Sequence, residues 1–224
     1  MNNEIDKSSR AYKIAAGKGV MNLPNKLTIS RMVMIPVFML FFYLNFTGHF
    51  FVALAVFGIA CLTDLFDGKI ARKYGLVTNL GKFLDPIADK VLVLTALVLF
   101  LTVPEFVVYT TGSIGLIALG CGVAIILARE IIVSGFRMVA ASSGTVIAAD
   151  IFGKYKTVFQ DIAIVVLLIG AGLCELTFII DSEPLAVASS AVNMAGLVCF
   201  GIAVILTIIS GVNYLVKNRE VLKQ

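Results

Sequence analysis

Residues 64–89 read DLFDGKIARKYGLVTNLGKFLDPIAD and place four aspartates among strongly apolar runs of the chain. The four are Asp64, Asp67, Asp85 and Asp89. A carboxylate inside a membrane-spanning segment is costly to bury, so it marks a functional site by default. We therefore interpret this stretch as a place where the fold holds strongly positive groups.

The composition of the chain is that of a polytopic membrane protein. Of its 224 residues, 59% are hydrophobic and only 14% are charged, and the mean hydropathy is +1.00. These values lie outside the usual range of soluble domains. No polar region large enough for a soluble domain is left once the apolar runs are removed. The sequence predicts an all-α fold with one membrane domain, and we expect no nucleic-acid partner.

Six apolar runs are long enough to cross a bilayer core, which requires about 20 residues of helix. They cover residues 27–46, 51–74, 82–103, 113–141, 154–173 and 191–215. The predicted organisation is a cytoplasmic N-terminal tail at 1–26, a six-helix transmembrane catalytic domain at 27–217 and a cytoplasmic tail at 218–224. Within the first tail, residues 8–20 are either a basic interfacial helix on anionic lipid or a loosely ordered segment.

The distribution of charge predicts how these spans are oriented. If the N-terminus is cytoplasmic, all 18 Lys and Arg residues fall on or near the cytoplasmic side. The loops on the opposite side contain no Lys or Arg, and their charged residues are all acidic: Glu105, Glu175, Asp181 and Glu183. This asymmetry follows the positive-inside rule and predicts that both termini are cytoplasmic. It also places the four aspartates toward the cytoplasmic ends of the second and third spans.

The spacing of the aspartates predicts two facing acidic surfaces. In the second span, residues 0, 3, 4, 7 and 8 positions after Asp64 lie on one helical face. They are Asp64, Asp67, Gly68, Ala71 and Arg72. In the third span, Gly81, Asp85 and Asp89 recur every fourth residue and also share a face. A short connection around Gly75 makes the two spans antiparallel neighbours, so we expect their acidic faces to oppose each other.

Four carboxylates confined to one space require compensating positive charge, because mutual repulsion and desolvation disfavour their charged forms. Two divalent cations would balance them. Ligation by oxygen atoms without His or Cys indicates Mg²⁺ or Mn²⁺, with Ca²⁺ as an alternative. A pair of metals is a common way to clamp the entering and leaving oxygens of a phosphoryl displacement. Gly68 and Ala71 would let a phosphorylated ligand approach the helix backbone, although each taken singly fits ordinary helix packing equally well.

The pattern D-x-x-D-G-x-x-A-R-x8-G-x3-D-x3-D resembles the signature of the CDP-alcohol phosphatidyltransferase family and matches it at every fixed position. The resemblance implies transfer of a substituted phosphate from a CDP-linked lipid alcohol to an acceptor hydroxyl, with release of CMP. It implies metal ligands at Asp64, Asp67, Asp85 and Asp89, and a general base at Asp89. It also implies a CDP site lined by Gly68, Ala71 and Arg72, with Gly81 permitting close approach of the two spans.

Two further stretches are similar to the bacterial branch of this family whose acceptor is sn-glycerol 3-phosphate. They are residues 22–36 and residues 128–157. In the first, Asn25, Thr28 and Arg31 are candidate contacts to the nucleotide or the donor phosphate. In the second, a basic pocket for the acceptor phosphate would comprise Arg129, Arg137, Lys154 and Lys156. Alternatively, Lys156 is an ordinary positive anchor at a span end, and Arg129 forms a structural ion pair with Glu130.

Other functions fit parts of the pattern. Within the family, the acceptor could be serine, an inositol phosphate or phosphatidylglycerol. A divalent-cation transporter is a rival from another class, but such proteins place ion sites near the midplane of repeated halves, and no repeat is visible in the sequence. The resemblance leads us to expect CDP-diacylglycerol, sn-glycerol 3-phosphate and CMP as ligands, membrane lipids as surroundings, a bacterial inner-membrane location and a homodimer.

Overall fold

The part of the chain that the structure describes is almost entirely α-helical. The computed structural model describes residues 23–74, 79–103, 105–142 and 151–218, with the side chains of residues 23–25, 64–86, 89, 139, 141 and 142 outside that description. The described part contains six helices and no strand: α1 (Leu23–Tyr43), α2 (His49–Tyr74), α3 (Asn79–Leu99), α4 (Glu105–Ser142), α5 (Ile151–Ile180) and α6 (Glu183–Lys217). The predicted all-α class is confirmed. The predicted interfacial segment at residues 8–20 and the tail beyond residue 218 lie outside the described residues.

Four of the helices are long and apolar enough to cross a membrane. They are Lys26–Tyr43, Glu105–Met138, Ile151–Ile180 and Glu183–Lys217. The second and third predicted spans have described side chains over only part of their length. There they form the shorter apolar stretches His49–Thr63 and Lys90–Leu99. Length and composition therefore support a membrane protein, whereas six complete crossings stay a prediction.

The break between the last two helices lies beside Ser182 and Pro184, whose residue types predict a break there. The two predicted spans end at residue 173 and begin again at residue 191, whereas the helices extend further: α5 continues to Ile180 and α6 begins at Glu183. Ser182 is the N-cap of α6 and Pro184 lies in its first turn. A proline at the start of a helix fixes a helical φ without removing a needed hydrogen bond, so Pro184 is compatible with the start of α6.

A glycine divides α4 into a short first segment and a long second one. Gly112 has φ 66° and ψ −167°, which interrupts the helix between Glu105 and Ser142. Glycine adopts this left-handed region without the steric cost that a side chain imposes. The fourth predicted span begins at Ser113, immediately after this kink.

The chain forms two compact units, Met1–Thr95 and Ala96–Gln224. In the first unit, α1 and α2 pack as an antiparallel pair around aromatic rings. The ring centroids of Phe42 and Phe50 are 5.3 Å apart, and those of Phe38 and Phe57 are 5.9 Å apart. The buried positions of α1 recur every three or four residues, as expected for one helical face, and they are Thr28, Arg31, Ile35, Phe38 and Phe42.

In the second unit, α4 and α6 run parallel to each other and α5 runs antiparallel to both. Gly122 faces Phe200 near the middle of α4, and further along both helices the rings of Phe136 and Tyr214 lie 5.7 Å apart. The buried stripe of α6 is rich in small and polar residues: Ser189, Asn193, Gly196, Phe200, Ala203, Thr207, Ser210 and Tyr214. Small side chains at helix interfaces are typical of packing in membranes, since they allow backbones to approach closely.

Replacing Gly196 with alanine is expected to destabilise the contact between α5 and α6. The new methyl group would lie 2.8 Å from Leu167 Cδ2 and 3.2 Å from the Leu167 backbone nitrogen. Overpacking of this kind costs about 1–3 kcal/mol. Gly201→Ala is the matched control, because nothing lies within 4 Å of its added methyl group on the same helix. Thermal unfolding in detergent should show a lower Tm for Gly196→Ala only, and equal Tm values would contradict this packing.

Candidate functional site

The helices that carry the aspartate pattern are continuous through it. Within α2, the backbone is helical through Asp64 and Asp67 to Tyr74, and α3 is helical through Asp85 and Asp89. Spacings of three and four residues therefore do fall on single helical faces, as predicted. The side chains themselves lie outside the described residues, as do those of Gly68, Ala71, Arg72 and Gly81. Their opposition across the two helices stays a prediction.

Outside the aspartate motif, the described side chains offer no other candidate site for a metal ion. There, no group of three or more His, Cys, Asp or Glu residues is close enough to hold an ion. The donor set of the predicted centre is four carboxylates on two helices, and it suits a hard divalent cation such as Mg²⁺ or Mn²⁺. Their role as metal ligands stays a prediction.

Two of the predicted donor-site residues are deeply buried on α1. Thr28 and Arg31 are each 1% exposed and continue the stripe that packs against α2. The antiparallel pairing of Phe42 with Phe50 and of Phe38 with Phe57 fixes the register of the two helices. Extended along both helices, this register brings the α1 turn carrying Arg31 beside the α2 turn that ends at Asp64. Asn25 lies in α1, but its side chain is outside the described residues.

A buried group of charged side chains joins α4 to the first turns of α5. Lys156 Nζ donates to Glu130 Oε1 over 2.6 Å, and Arg129 Nη1 donates to the same oxygen over 3.1 Å. Lys156 is 3% exposed and Glu130 is 8% exposed. The carboxylate of Glu130 thus holds two of the four predicted phosphate-binding cations side by side.

The guanidinium of Arg129 is also held from α6. Its Nη2 donates to Ser210 Oγ over 3.2 Å, and Ser210 Oγ in turn donates to the carbonyl oxygen of Thr207 over 3.1 Å. Two glycines make room for the side chain. A methyl group at Gly153 would lie 3.4 Å from Arg129 Nη2, and one at Gly211 would lie 3.2 Å from Arg129 Cγ. Helices α4, α5 and α6 therefore meet around this one arginine.

The other two predicted phosphate-binding residues are arranged differently. Arg137 is exposed, and its Cζ lies 5.6 Å from the centroid of the Tyr214 ring, within the range of a cation–π contact. Lys154 is exposed on the first turn of α5. The structure thus gathers Arg129 and Lys156 on Glu130, and it places Arg137 against the ring of Tyr214 and Lys154 at the exposed start of α5.

Sequence reasoning identified the cations of this site but not the group that organises them. The alternative of an Arg129–Glu130 ion pair is confirmed, whereas the stronger partner of Glu130 is Lys156, 26 residues away. Ser210 and Tyr214 were not considered. A usable signal existed, because a lysine is almost never fully buried unless it is paired, and a helix carrying Lys156 on its apolar face requires an acid opposite it.

Charge is segregated between the two ends of the second unit. One end carries acidic residues, with Glu105 starting α4 and Asp181 and Glu183 at the link between α5 and α6. The other end carries the basic residues Arg129, Arg137, Lys154, Lys156 and Lys217. The parallel and antiparallel arrangement of the helices therefore gathers the positive charges at one end.

Comparisons with known proteins agree with this organisation. The model of the CDP-alcohol phosphatidyltransferase family matches residues 21–209. A CDP-diacylglycerol–glycerol-3-phosphate 3-phosphatidyltransferase of Bacillus subtilis is 38% identical over 215 residues, which is 90% of this chain and 97% of the relative. Proteins of the same name from Escherichia coli K12 and Rickettsia bellii are 37% and 36% identical, and they cover 88% and 86% of this chain and 95% and 93% of their own lengths.

Proposed function

Since the chain belongs to the CDP-alcohol phosphatidyltransferase family, we propose that it transfers the phosphatidyl group of CDP-diacylglycerol to sn-glycerol 3-phosphate and releases CMP. The product is phosphatidylglycerophosphate. The assignment of a phosphorylated acceptor rests on one observation, the buried group in which Arg129 and Lys156 share Glu130. A phosphorylated acceptor requires fixed positive charge. Relatives bearing the name of this activity match the chain over nearly all of its length.

The reaction requires both metal binding and proton transfer from the aspartates of α2 and α3. The acceptor hydroxyl oxygen forms a bond to the phosphatidyl phosphorus while the phosphorus–oxygen bond to CMP breaks. Asp89 takes the proton of that hydroxyl, so it has to lie within hydrogen-bond reach of the acceptor. Asp64, Asp67, Asp85 and Asp89 would hold two divalent cations, Mg²⁺ or Mn²⁺. When bound, these ions supply the positive charge that offsets the pyrophosphate.

The donor is proposed to bind beside the acidic faces of α2 and α3. Gly68, Ala71 and Arg72 would line the CDP site, and Gly81 would allow the two helices to approach closely. On α1, Thr28 and Arg31 continue the stripe that packs on α2, which supports a contribution of theirs to donor binding. An arginine fits this task because its guanidinium forms paired hydrogen bonds with phosphate oxygens.

The acceptor phosphate is proposed to bind Arg129 and Lys156, with Arg137 and Lys154 supplying further positive charge at the same end of the second unit. Arg129, Lys156 and Glu130 together carry one net positive charge, which favours an anionic acceptor over a neutral one such as serine. An inositol phosphate carries the same phosphate and is the nearest alternative. It is bulkier than sn-glycerol 3-phosphate, and an assay with both acceptors distinguishes them.

We place the reaction at the cytoplasmic face of a bacterial inner membrane. The four long apolar helices, together with α2 and α3, would give six crossings with both termini in the cytoplasm. The segregation of basic and acidic residues between the two ends of α4–α6 supports this orientation through the positive-inside rule. A homodimer is proposed from the family resemblance alone.

The proposed function is tested by following CMP formation with purified protein. CDP-diacylglycerol in detergent micelles is offered with a panel of acceptors that contains sn-glycerol 3-phosphate, serine, inositol phosphate and phosphatidylglycerol. We expect CMP release only with sn-glycerol 3-phosphate, and its abolition by EDTA with recovery on addition of Mg²⁺ or Mn²⁺. Release that depends on another acceptor would overturn the acceptor assignment, and metal flux into liposomes without CMP release would favour a transporter.

Arg129→Gln is expected to raise the KM for sn-glycerol 3-phosphate. The change removes a charged donor from the acceptor site, and hydrogen bonds to charged groups contribute about 1.5–3 kcal/mol, which corresponds to a change of roughly 10- to 100-fold. The KM for CDP-diacylglycerol should stay unchanged. Lys217→Gln is the matched control, since it removes an exposed positive charge near the same end of the unit. Equal effects of both variants on acceptor KM would contradict a specific phosphate contact.

A further inference from the structure

We propose that Glu130 is a positioning residue for acceptor recognition: its carboxylate holds the cationic groups of Arg129 and Lys156 where an acceptor phosphate binds. The inference rests on the proposed function and extends it to an acidic residue that would itself repel the ligand. Glu130 lies on α4, whereas Lys156 lies on α5, so the carboxylate sets the distance between cations on two helices.

Two hydrogen bonds to Glu130 differ in length and converge on one atom. Oε1 accepts from Lys156 Nζ over 2.6 Å and from Arg129 Nη1 over 3.1 Å. Charge-assisted hydrogen bonds of this length are about twice as strong as neutral ones. Because both cations bind the same oxygen, their charged groups are confined to a small volume. Neither long side chain is then free to sample the many rotamers it would have in solvent.

Arg129 is restrained by a second contact, and one nitrogen of its guanidinium group lacks a hydrogen-bond partner. Nη2 donates to Ser210 Oγ over 3.2 Å, and Gly153 and Gly211 enclose the side chain at close range. Its buried Nε has no hydrogen-bond partner among the residues that the structure describes. A buried donor without a partner costs free energy, which a phosphate oxygen that reaches Nε would recover.

A buried ion pair is a poor choice if stability alone is required. Replacing such a pair with packed hydrophobic residues is often neutral or stabilising, because desolvation offsets much of the attraction. Here the pair lies at the junction of three helices, and it presents an arginine already held by Ser210. Pre-organised donors bind an anion without a further entropic cost for ordering them. Glu130 therefore acts on the acceptor through Arg129 and Lys156.

The test separates acceptor binding from folding and from the chemical step. Full-length Glu130→Gln protein is assayed for CMP release while each substrate is varied in turn, and inorganic phosphate is used as a competitive probe. We expect the KM for sn-glycerol 3-phosphate and the inhibition constant of phosphate to rise by about tenfold or more, with the KM for CDP-diacylglycerol unchanged. Glu130→Asp keeps the charge and should restore part of the acceptor affinity. Glu183→Gln, at the exposed start of α6, is the matched control.

A rise in both KM values together, or an unchanged acceptor KM with a lower Tm, would show that Glu130 is merely structural. If Glu130→Gln does not fold, Glu130→Asp decides, because it keeps the charge that pairs with Arg129 and Lys156 and shortens the side chain by one methylene group. Its KM for sn-glycerol 3-phosphate should exceed the wild-type value with the KM for CDP-diacylglycerol unchanged, and a wild-type acceptor KM would overturn the inference. Wild-type protein that releases no CMP with sn-glycerol 3-phosphate would instead overturn the proposed function, and the inference with it.

Discussion

Replacing Asp67 or Asp85 with asparagine is expected to abolish CMP release while leaving the protein folded and inserted in the membrane. Asparagine preserves shape but removes the negative charge that a divalent cation requires. Loss of a metal that stabilises charge on transferring phosphate should reduce turnover by about 10³-fold or more. The measurement is CMP formation from CDP-diacylglycerol at saturating acceptor, alongside Tm and the elution profile in detergent.

Asp181→Asn is the matched control for these two variants. Asp181 is exposed at the link between α5 and α6, is not part of the aspartate motif, and has φ 49°. Asparagine tolerates this left-handed conformation as well as aspartate does. The control should therefore keep both activity and Tm. Substantial turnover in Asp67→Asn or Asp85→Asn would count against an assignment of these residues to the metals.

Asp89→Asn is expected to lower kcat strongly, because the acceptor hydroxyl would lose the group that takes its proton. General-base catalysis contributes about 10²–10⁴-fold to a rate. The KM for CDP-diacylglycerol should change less than kcat, since three other aspartates would still support donor binding. Steady-state kinetics with each substrate varied provides the measurement.

Two outcomes would contradict the base assignment for Asp89. Retention of wild-type kcat would remove its role in proton transfer. A raised donor KM at unchanged kcat would assign it to ground-state binding alone, because uniform binding affects KM without slowing the chemical step.

The elements that depend on local pattern were predictable from the sequence. The helical course of α2 through Asp64 and Asp67 follows from spacings that fit one helical face, and a run of apolar residues predicted the second segment of α4 from Ser113. The break beside Ser182 and Pro184 was also predictable, because a proline is compatible with the first turn of a helix but not with its interior. The helix ends were less predictable, since α5 and α6 continue beyond the predicted spans to Ile180 and from Glu183.

The candidate site depends on long-range pairing, which the sequence indicates only weakly. The motif identifies the aspartates because their spacing lies within two adjacent helices. No comparable rule connects Glu130 with Lys156 or Arg129 with Ser210, which are 26 and 81 residues apart. Their meeting depends on the register of α4, α5 and α6, which is set by close contacts such as that of Gly196 with Leu167. The sequence alone therefore identifies the charged residues but not how they are arranged.

Binding of Mn²⁺ is the most direct test of the claim that α2 and α3 jointly hold two cations. Electron paramagnetic resonance of metal-free protein titrated with Mn²⁺ in the presence of CDP-diacylglycerol counts the bound ions and reports whether they are magnetically coupled. We predict two coupled ions in the wild type, and loss of coupling in both Asp67→Asn and Asp85→Asn, one from each helix. Isolated ions whose binding is unaffected by either substitution would contradict the shared centre.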